Sequence, residues 1–173
     1  MAGNLWTVLA VTLISAVLAS AQQTKKGTPD PAPVPQQIAK AKSVFVSNAG
    51  GDVVGSPFSG GNDRPYNQFY AEMKSWGRYE LTPAPAGSDL IFELSFTTQV
   101  GIDASNGTSG RAVSDTQLRL AILDPSTRVA LWAFSKHVKQ GILQATSDKN
   151  FDDAMASIVA AVRELAARPA PGH

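Results

Sequence analysis

Apolar and polar residues alternate in the middle of the chain. A period of two predicts β-strands that bury one face of a sheet. It is carried by Leu90, Phe92, Leu94 and Phe96, and again by Leu118, Leu120 and Ile122. Asp124 to Thr127 has type I turn chemistry, and residues 129–138 return as a further strand. The pattern therefore predicts a tight hairpin.

A helix is predicted between two short strands in the first half of the chain. Residues 43–47 are β-branched and aromatic and end at a glycine-containing turn, and Tyr79 to Thr82 forms another short strand. Between them, Asp63 offers an N-cap and Gly77 a stop. The apolar positions of this helix are Tyr66, Phe69, Tyr70, Met73 and Trp76. We expect a right-handed β-α-β unit.

A second amphipathic helix is predicted near the C-terminus, with Ser147 or Asp148 as its N-cap. Its apolar stripe consists of Phe151, Met155, Ile158, Val159, Val162 and Leu165. The element order β-α-β-β-β-β-α predicts an α/β protein, specifically an α+β two-layer sandwich. Its mixed sheet has about five strands, with both helices on one face, and the other face is at least partly exposed to water.

The N-terminal segment indicates export. Residues 5–19 form an almost unbroken apolar run that ends in Ala19-Ser20-Ala21, the small-x-small pattern of a signal peptidase site. We assign residues 1–21 to a signal peptide, 22–37 to a proline-rich disordered linker, 38–167 to one domain and 168–173 to a frayed tail. The alternative is an uncleaved membrane anchor. The expected location is periplasmic or extracellular.

Composition removes several classes of function. The chain has 15 Lys and Arg against 14 Asp and Glu, without a basic stripe, which argues against nucleic acid as a partner. It contains no cysteine, so lipid attachment through a cysteine, disulfides and thiol chemistry are excluded. No cofactor is expected.

Catalytic groups are scarce. His137 and His173 are the two histidines, too few for a zinc site with several histidine ligands, and no G-x-S-x-G motif positions a serine. We expect no cleft that gathers His137, an aspartate and a serine within hydrogen-bond reach. Residues 49–61 are glycine-rich but lack phosphate-binding spacing, and we interpret them as a flexible loop.

No metal is expected either. Asp52, Asp63, Asp103 and Asp115 lie on predicted loops and offer oxygen ligands, but no D-x-D-x-D run joins them.

One aromatic strand offers a possible binding surface. Trp132 and Phe134 share one face, and Leu131 takes the other. If Leu131 faces the helices, the aromatic side chains lie on the open sheet face beside Arg119, as an amphipathic patch for a partner. In the opposite register, Trp132 and Phe134 belong to the core.

The predicted strands and helices, taken in chain order, resemble those of a group of uncharacterised exported bacterial envelope domains. The resemblance covers about residues 38–166. It is carried by residues 38–48, 66–81 and 88–94, and by 118–124 followed by Val129-Ala-Leu-Trp132. The topology is also similar to that of periplasmic lipoprotein activators of cell-wall synthases, although this chain lacks their acylated cysteine. The resemblance implies a role in binding or assembly and transfers no catalytic residue.

The sequence therefore predicts a non-enzymatic envelope protein that binds a protein or a cell-wall component. The first alternative is a secreted hydrolase with a site near the glycine-rich loop and Asp63. A small-molecule carrier is a further alternative, which would need an internal apolar cavity.

Overall fold

The computed structural model describes residues 32–51, 58–103 and 111–169. Three helices and five strands occur in these ranges. The helices are α1 (Gln36–Lys40), α2 (Arg64–Trp76) and α3 (Gln144–Ala167). The strands are β1 (Ser43–Asn48), β2 (Glu80–Leu81), β3 (Leu90–Asp103), β4 (Arg111–Leu123) and β5 (Ala130–His137).

The five strands form one mixed sheet in the order β2-β1-β3-β4-β5. Strand β1 pairs in parallel with β2 and β3, whereas β3, β4 and β5 pair in antiparallel fashion. The parallel pairing of β1 and β2 fits a crossover through α2. The predicted α+β architecture with a mixed five-stranded sheet is confirmed.

The helices cover one face of this sheet. Phe69 of α2 and Ile158 of α3 belong to the same core cluster as Phe92 and Leu120 of the sheet. The whole predicted α3 stripe is buried, as the 3.6-residue period requires. Alternate residues of β3 and β4 point into this core, so the neighbouring positions lie on the opposite face.

Strands β3 and β4 are longer than predicted. Residues 101–103 and 111–115, interpreted from sequence as part of a polar connection, lie in the two strands and pair with each other. On the helix-covered face, the hydroxyls of Thr98 and Thr116 lie 3.2 Å apart. Backbone pairing does not require apolar side chains, so a polar ribbon extends the hairpin where the hydrophobic pattern fades. Residues 104–110 lie outside the described ranges.

The first helix begins inside the segment assigned from sequence to the linker, residues 22–37, and continues into the predicted domain. Val34 and Ile38 are buried in the main core, on either side of the start of α1. A five-residue helix has too few apolar positions to show a period, and its proline-rich approach suggested disorder. The helix is held in place by tertiary contacts.

The predicted ends of α2 are confirmed, and the predicted caps of α3 were wrong. Asp63 occupies the N-cap position of α2, although its side chain makes no cap hydrogen bond, and Gly77 ends the helix in the left-handed conformation. Helix α3 begins at Gln144, ahead of both predicted caps: the Ser147 hydroxyl bonds to Gly141, and the Asp148 carboxylate accepts hydrogen bonds from Ser59. These polar side chains bind preceding or distant segments instead of starting the helix.

The end of the glycine-rich stretch is anchored between the helices. Phe58 is buried against Phe96 and Phe151, with ring centroids 4.8 and 4.2 Å away. The Arg64 guanidinium lies 2.8 Å from both the Asp148 and the Asp152 carboxylates. It also lies 4.9 Å from the Phe151 ring centroid and 5.6 Å from that of Phe58. We call Phe58, Ser59, Arg64, Asp148 and Asp152 the Arg64 cluster.

The predicted signal peptide and most of the predicted linker lie outside the described residues. Within the parts of the chain that the structure describes, no helix combines the length and apolar character needed to cross a membrane.

Candidate functional site

The sheet surface away from α2 and α3, here called the outer face, changes character along the strands. At one end Ile91, Ala121 and Leu123 are buried together, with Phe45 packed against them. Toward the other end the cross-strand rows become polar. These rows are Ser95, Arg119 and Ser135, followed by Thr97, Gln117 and His137. The polar half is largely solvent-exposed.

The strand register separates the residues predicted as a binding patch. Trp132 pairs with Ile122 and Phe134 with Leu120, and directly paired residues share a face. Both aromatic side chains are half-buried against the helix-covered core. Arg119 pairs with Ser135 and lies on the outer face. A single patch that combines Trp132, Phe134 and Arg119 is therefore wrong.

A register irregularity explains this outcome. The pairing shifts between Ile122 and Leu123, so that Trp132 and Ala130 have paired partners while Leu131 lies between them. Leu131 also packs against the main core. Strict alternation along β5 therefore does not hold at Leu131, and the sequence alone left both orientations open.

Arg119 stands out among the residues of the polar half. Its side chain is exposed, and its guanidinium makes no hydrogen bond or ion pair with any part of the chain that the structure describes. Arginine presents several donors in a planar fork that suits carboxylates and amides. Arg119 can therefore bind a ligand without first breaking an internal contact.

A chain of hydrogen bonds runs beside Arg119 across β4 and β5. The Ser135 hydroxyl donates to Gln117 Oε1 at 3.0 Å, and the Gln117 amide donates to Asp115 Oδ2 at 2.7 Å. His137 Nδ1 lies 2.8 Å from Asp115 Oδ1. The hydrogen bond from Gln117, followed by that from His137, lowers the pKa of the Asp115 carboxyl. We call these four residues the outer-face chain.

The outer-face chain contains the residue types of a hydrolase triad in an unsuitable order. In such a triad the serine hydroxyl donates to the histidine, which the aspartate orients. Here the Ser135 proton is directed to an amide oxygen, and the amide separates the hydroxyl from His137. The His137 side chain is 71% exposed and borders a cleft of about 270 Å³ that Asp153 and Ser157 also line, but the Ser157 hydroxyl donates to the Asp153 backbone carbonyl. The arrangement does not activate Ser135 as a nucleophile.

The alternative site near Asp63 contains a small cleft of about 170 Å³. Asn48, Ser95, Phe58 and Asp63 are among its lining residues. The chain leaves β1 close to β3 here, and a Cβ at Gly51 would overlap the carbonyl oxygen of Phe96. Asp63 is the one titratable side chain among the described residues that line this cleft, and no histidine or lysine is among them.

The described residues contain no group of three or more His, Cys, Asp or Glu side chains that could hold a metal ion. Of the four aspartates considered for calcium, Asp115 is engaged by Gln117 and His137, and Asp63 lines the small cleft. Asp52 and the side chain of Asp103 lie outside what the structure describes.

No family model matches the chain, and no curated protein matches it. Solved structures to which the chain is similar include a hemagglutinin homolog from Helicobacter pylori. The TM-score is 0.42 at 11% identity, covering 80% of this chain and 92% of that one.

Protein XCC0632 from Xanthomonas campestris, of the DUF330 family, gives a TM-score of 0.42 at 15% identity and covers 80% and 87% of the two chains. Uncharacterized lipoprotein B from Nitrosomonas europaea gives 0.40 at 13% identity and covers 79% and 88%. The similar structures thus include a lipoprotein and a member of the DUF330 family.

Proposed function

We propose that this chain is a non-catalytic binding protein that acts outside the cytosol, with the polar half of the outer face as its binding surface. The order of groups in the outer-face chain supports this proposal most directly. A serine, a histidine and an aspartate occur together there, yet the serine hydroxyl is bonded away from the imidazole. A surface of this kind recognises hydrogen-bonding partners without transforming them.

The chemistry of the surface favours a polar, extended partner. Exposed Arg119 is flanked by the hydroxyls of Ser95 and Ser135 in its row, and by Gln117 in the next. These groups can bind the amides and carboxylates of an envelope protein or of a peptide-bearing cell-wall component. The export signal predicted in residues 1–21 would bring the chain to such partners. We include in this proposal that the chain could assist a cell-wall synthase by binding it, as the lipoprotein activators of such enzymes do.

Arg119→Glu tests the surface, with Lys74→Glu as a matched control. Lys74 is also exposed and makes no ion pair with the described residues, but it lies on α2. We expect Arg119→Glu to lower recovery of cross-linked envelope partners, or co-sedimentation with purified peptidoglycan, by about tenfold or more. The substitution removes the guanidinium donors and introduces a carboxylate that repels the carboxylates of the partner. The control should leave both unchanged. Equal recovery with the two variants would defeat the proposed surface.

The hydrolase alternative is tested on the same preparations. A screen with esters, peptides and glycans should give no turnover above background. Turnover that Asp63→Ala abolishes would favour the site near the glycine-rich loop and overturn the non-catalytic proposal.

A further inference from the structure

Two adjacent aliphatic side chains project from the segment that joins β5 to α3. Ile142 is fully exposed, and Leu143 is 68% exposed. Among the described residues, Val129 is the other large aliphatic side chain with comparable exposure, and it lies at the opposite end of β5. We call Ile142 and Leu143 the apolar tip.

The backbone around the apolar tip is fixed. The buried Ser147 hydroxyl accepts a hydrogen bond from Gly141 N at 3.0 Å and lies 3.4 Å from Gly141 O. A Cβ at Gly141 would lie 2.7 Å from Thr146 Cβ, so this close approach requires glycine. The Leu143 carbonyl accepts from the amides of Thr146 and Ser147. The structure therefore holds both aliphatic side chains in water instead of letting them collapse.

Local stability does not explain this choice of residues. Leu143 occupies the N-cap position of α3 and makes no side-chain cap hydrogen bond. Serine, threonine, aspartate or asparagine there would stabilise the helix by about 1 kcal/mol relative to an aliphatic residue. A departure of this kind at an exposed aliphatic residue points to function.

Two lysines precede the apolar tip in the sequence, Lys139 three residues and Lys136 six residues before Ile142. Lys136 and Lys139 are exposed, and neither ammonium has an ion pair within the described residues. Both line a cleft of about 270 Å³ between β5 and α3. Asp153 in the same cleft is paired with Lys149 at 2.6 Å. The uncompensated charge of this region is therefore positive.

We propose that the apolar tip inserts into the interfacial region of an anionic lipid bilayer, with Lys136 and Lys139 at the headgroups. Aliphatic side chains next to basic ones bind such surfaces through apolar burial and attraction to anionic lipids. Two aliphatic residues are too few for a stable protein interface, which buries about 1,200 Å² or more. This inference uses a different surface from the proposed function and does not depend on it.

The absence of native cysteine allows a single-site probe in the full chain. Ile142→Cys is labelled with a polarity-sensitive fluorophore, and Val129→Cys serves as the matched control. Phosphatidylglycerol-containing vesicles should blue-shift the emission at position 142 and leave that at position 129 unchanged. Probe depth is the readout because the apolar run of residues 5–19 can itself hold the full chain on a bilayer.

The lysines are tested in the same labelled protein. Combining Lys136→Gln with Lys139→Gln should lower the partition coefficient of the labelled protein for anionic vesicles by about tenfold. The control Lys74→Gln should leave this coefficient unchanged. An equal response to neutral phosphatidylcholine vesicles, or at position 129, would overturn the proposal. A response to inorganic phosphate without vesicles would indicate a soluble anion instead. A concentration-dependent response without lipid would indicate a second copy of the chain.

Discussion

The Arg64 cluster and the outer-face chain are built from similar charged and polar groups in opposite surroundings. The Arg64 side chain is 19% exposed, with two carboxylates at 2.8 Å and two aromatic rings within 5.6 Å. The His137 side chain is 71% exposed and bonds to one carboxylate. The two groups thus differ in burial and in the number of partners.

The comparison separates stabilising contacts from groups available to a ligand. Removing Arg64 takes the cation from the partly exposed Asp148 and Asp152 carboxylates and also removes the guanidinium from two aromatic rings. Removing His137 leaves Asp115 exposed to water, which replaces the lost hydrogen bond at little cost. The Arg64 cluster therefore stabilises the fold, whereas the outer-face chain can exchange partners.

Replacing Arg64 gives the largest expected effect. Arg64→Ala should lower the free energy of unfolding by about 2–3 kcal/mol, because charge-assisted hydrogen bonds and ring contacts are lost together. His137→Ala should change it by less than about 0.5 kcal/mol. Urea unfolding followed by circular dichroism measures both. Similar losses for the two variants would contradict the contrast drawn here.

A second pair of variants tests which sheet face each side chain occupies. Trp132→Ala should destabilise the protein by about 1–2 kcal/mol, less than a fully buried tryptophan because the ring is only half-buried. Arg119→Ala on the outer face should stay within about 0.5 kcal/mol of the unmodified chain. The same urea titrations apply. A neutral Trp132→Ala would argue that the aromatic side chains face water, as in the first of the two registers left open by the sequence.

The regular parts of the fold could be predicted because their signals are repetitive. The alternation through Leu90–Phe96 and the α3 stripe each extend over several residues, and both are confirmed. Helix α1 could not be found this way because five residues do not complete two turns. Phe58 was missed for a related reason: it is a single buried aromatic within a glycine-rich stretch.

The candidate site was harder to predict because it depends on register. Ser135, Gln117, Asp115 and His137 come together only through the pairing of β4 with β5, and no local spacing encodes that pairing. The alternation along β5 could have assigned Trp132 to a sheet face only if the irregularity beside Leu131 had been known. A one-residue change of register reverses every side chain, so sequence reasoning left both faces open.

The smallest effect concerns acid stability and compares Asp148 with Asp115. Hydrogen bonds lower the pKa of both carboxyls, chiefly from the Ser59 backbone amide for Asp148 and from the Gln117 side chain for Asp115. A carboxyl with a lowered pKa in the folded state stabilises the protein above its unfolded pKa of about 3.9. That stability is lost as the pH falls through the folded value.

Asp148→Asn should therefore flatten the decline in unfolding free energy between about pH 5 and pH 3 more than Asp115→Asn does. The reason is that the Ser59 amide is fixed by the buried Phe58 next to it, whereas the Gln117 side chain can turn to water. Urea titrations at several pH values measure the two slopes. An equal or larger change with Asp115→Asn would mean that the outer-face chain is held as firmly as the Arg64 cluster, and the distinction between the two regions would fail.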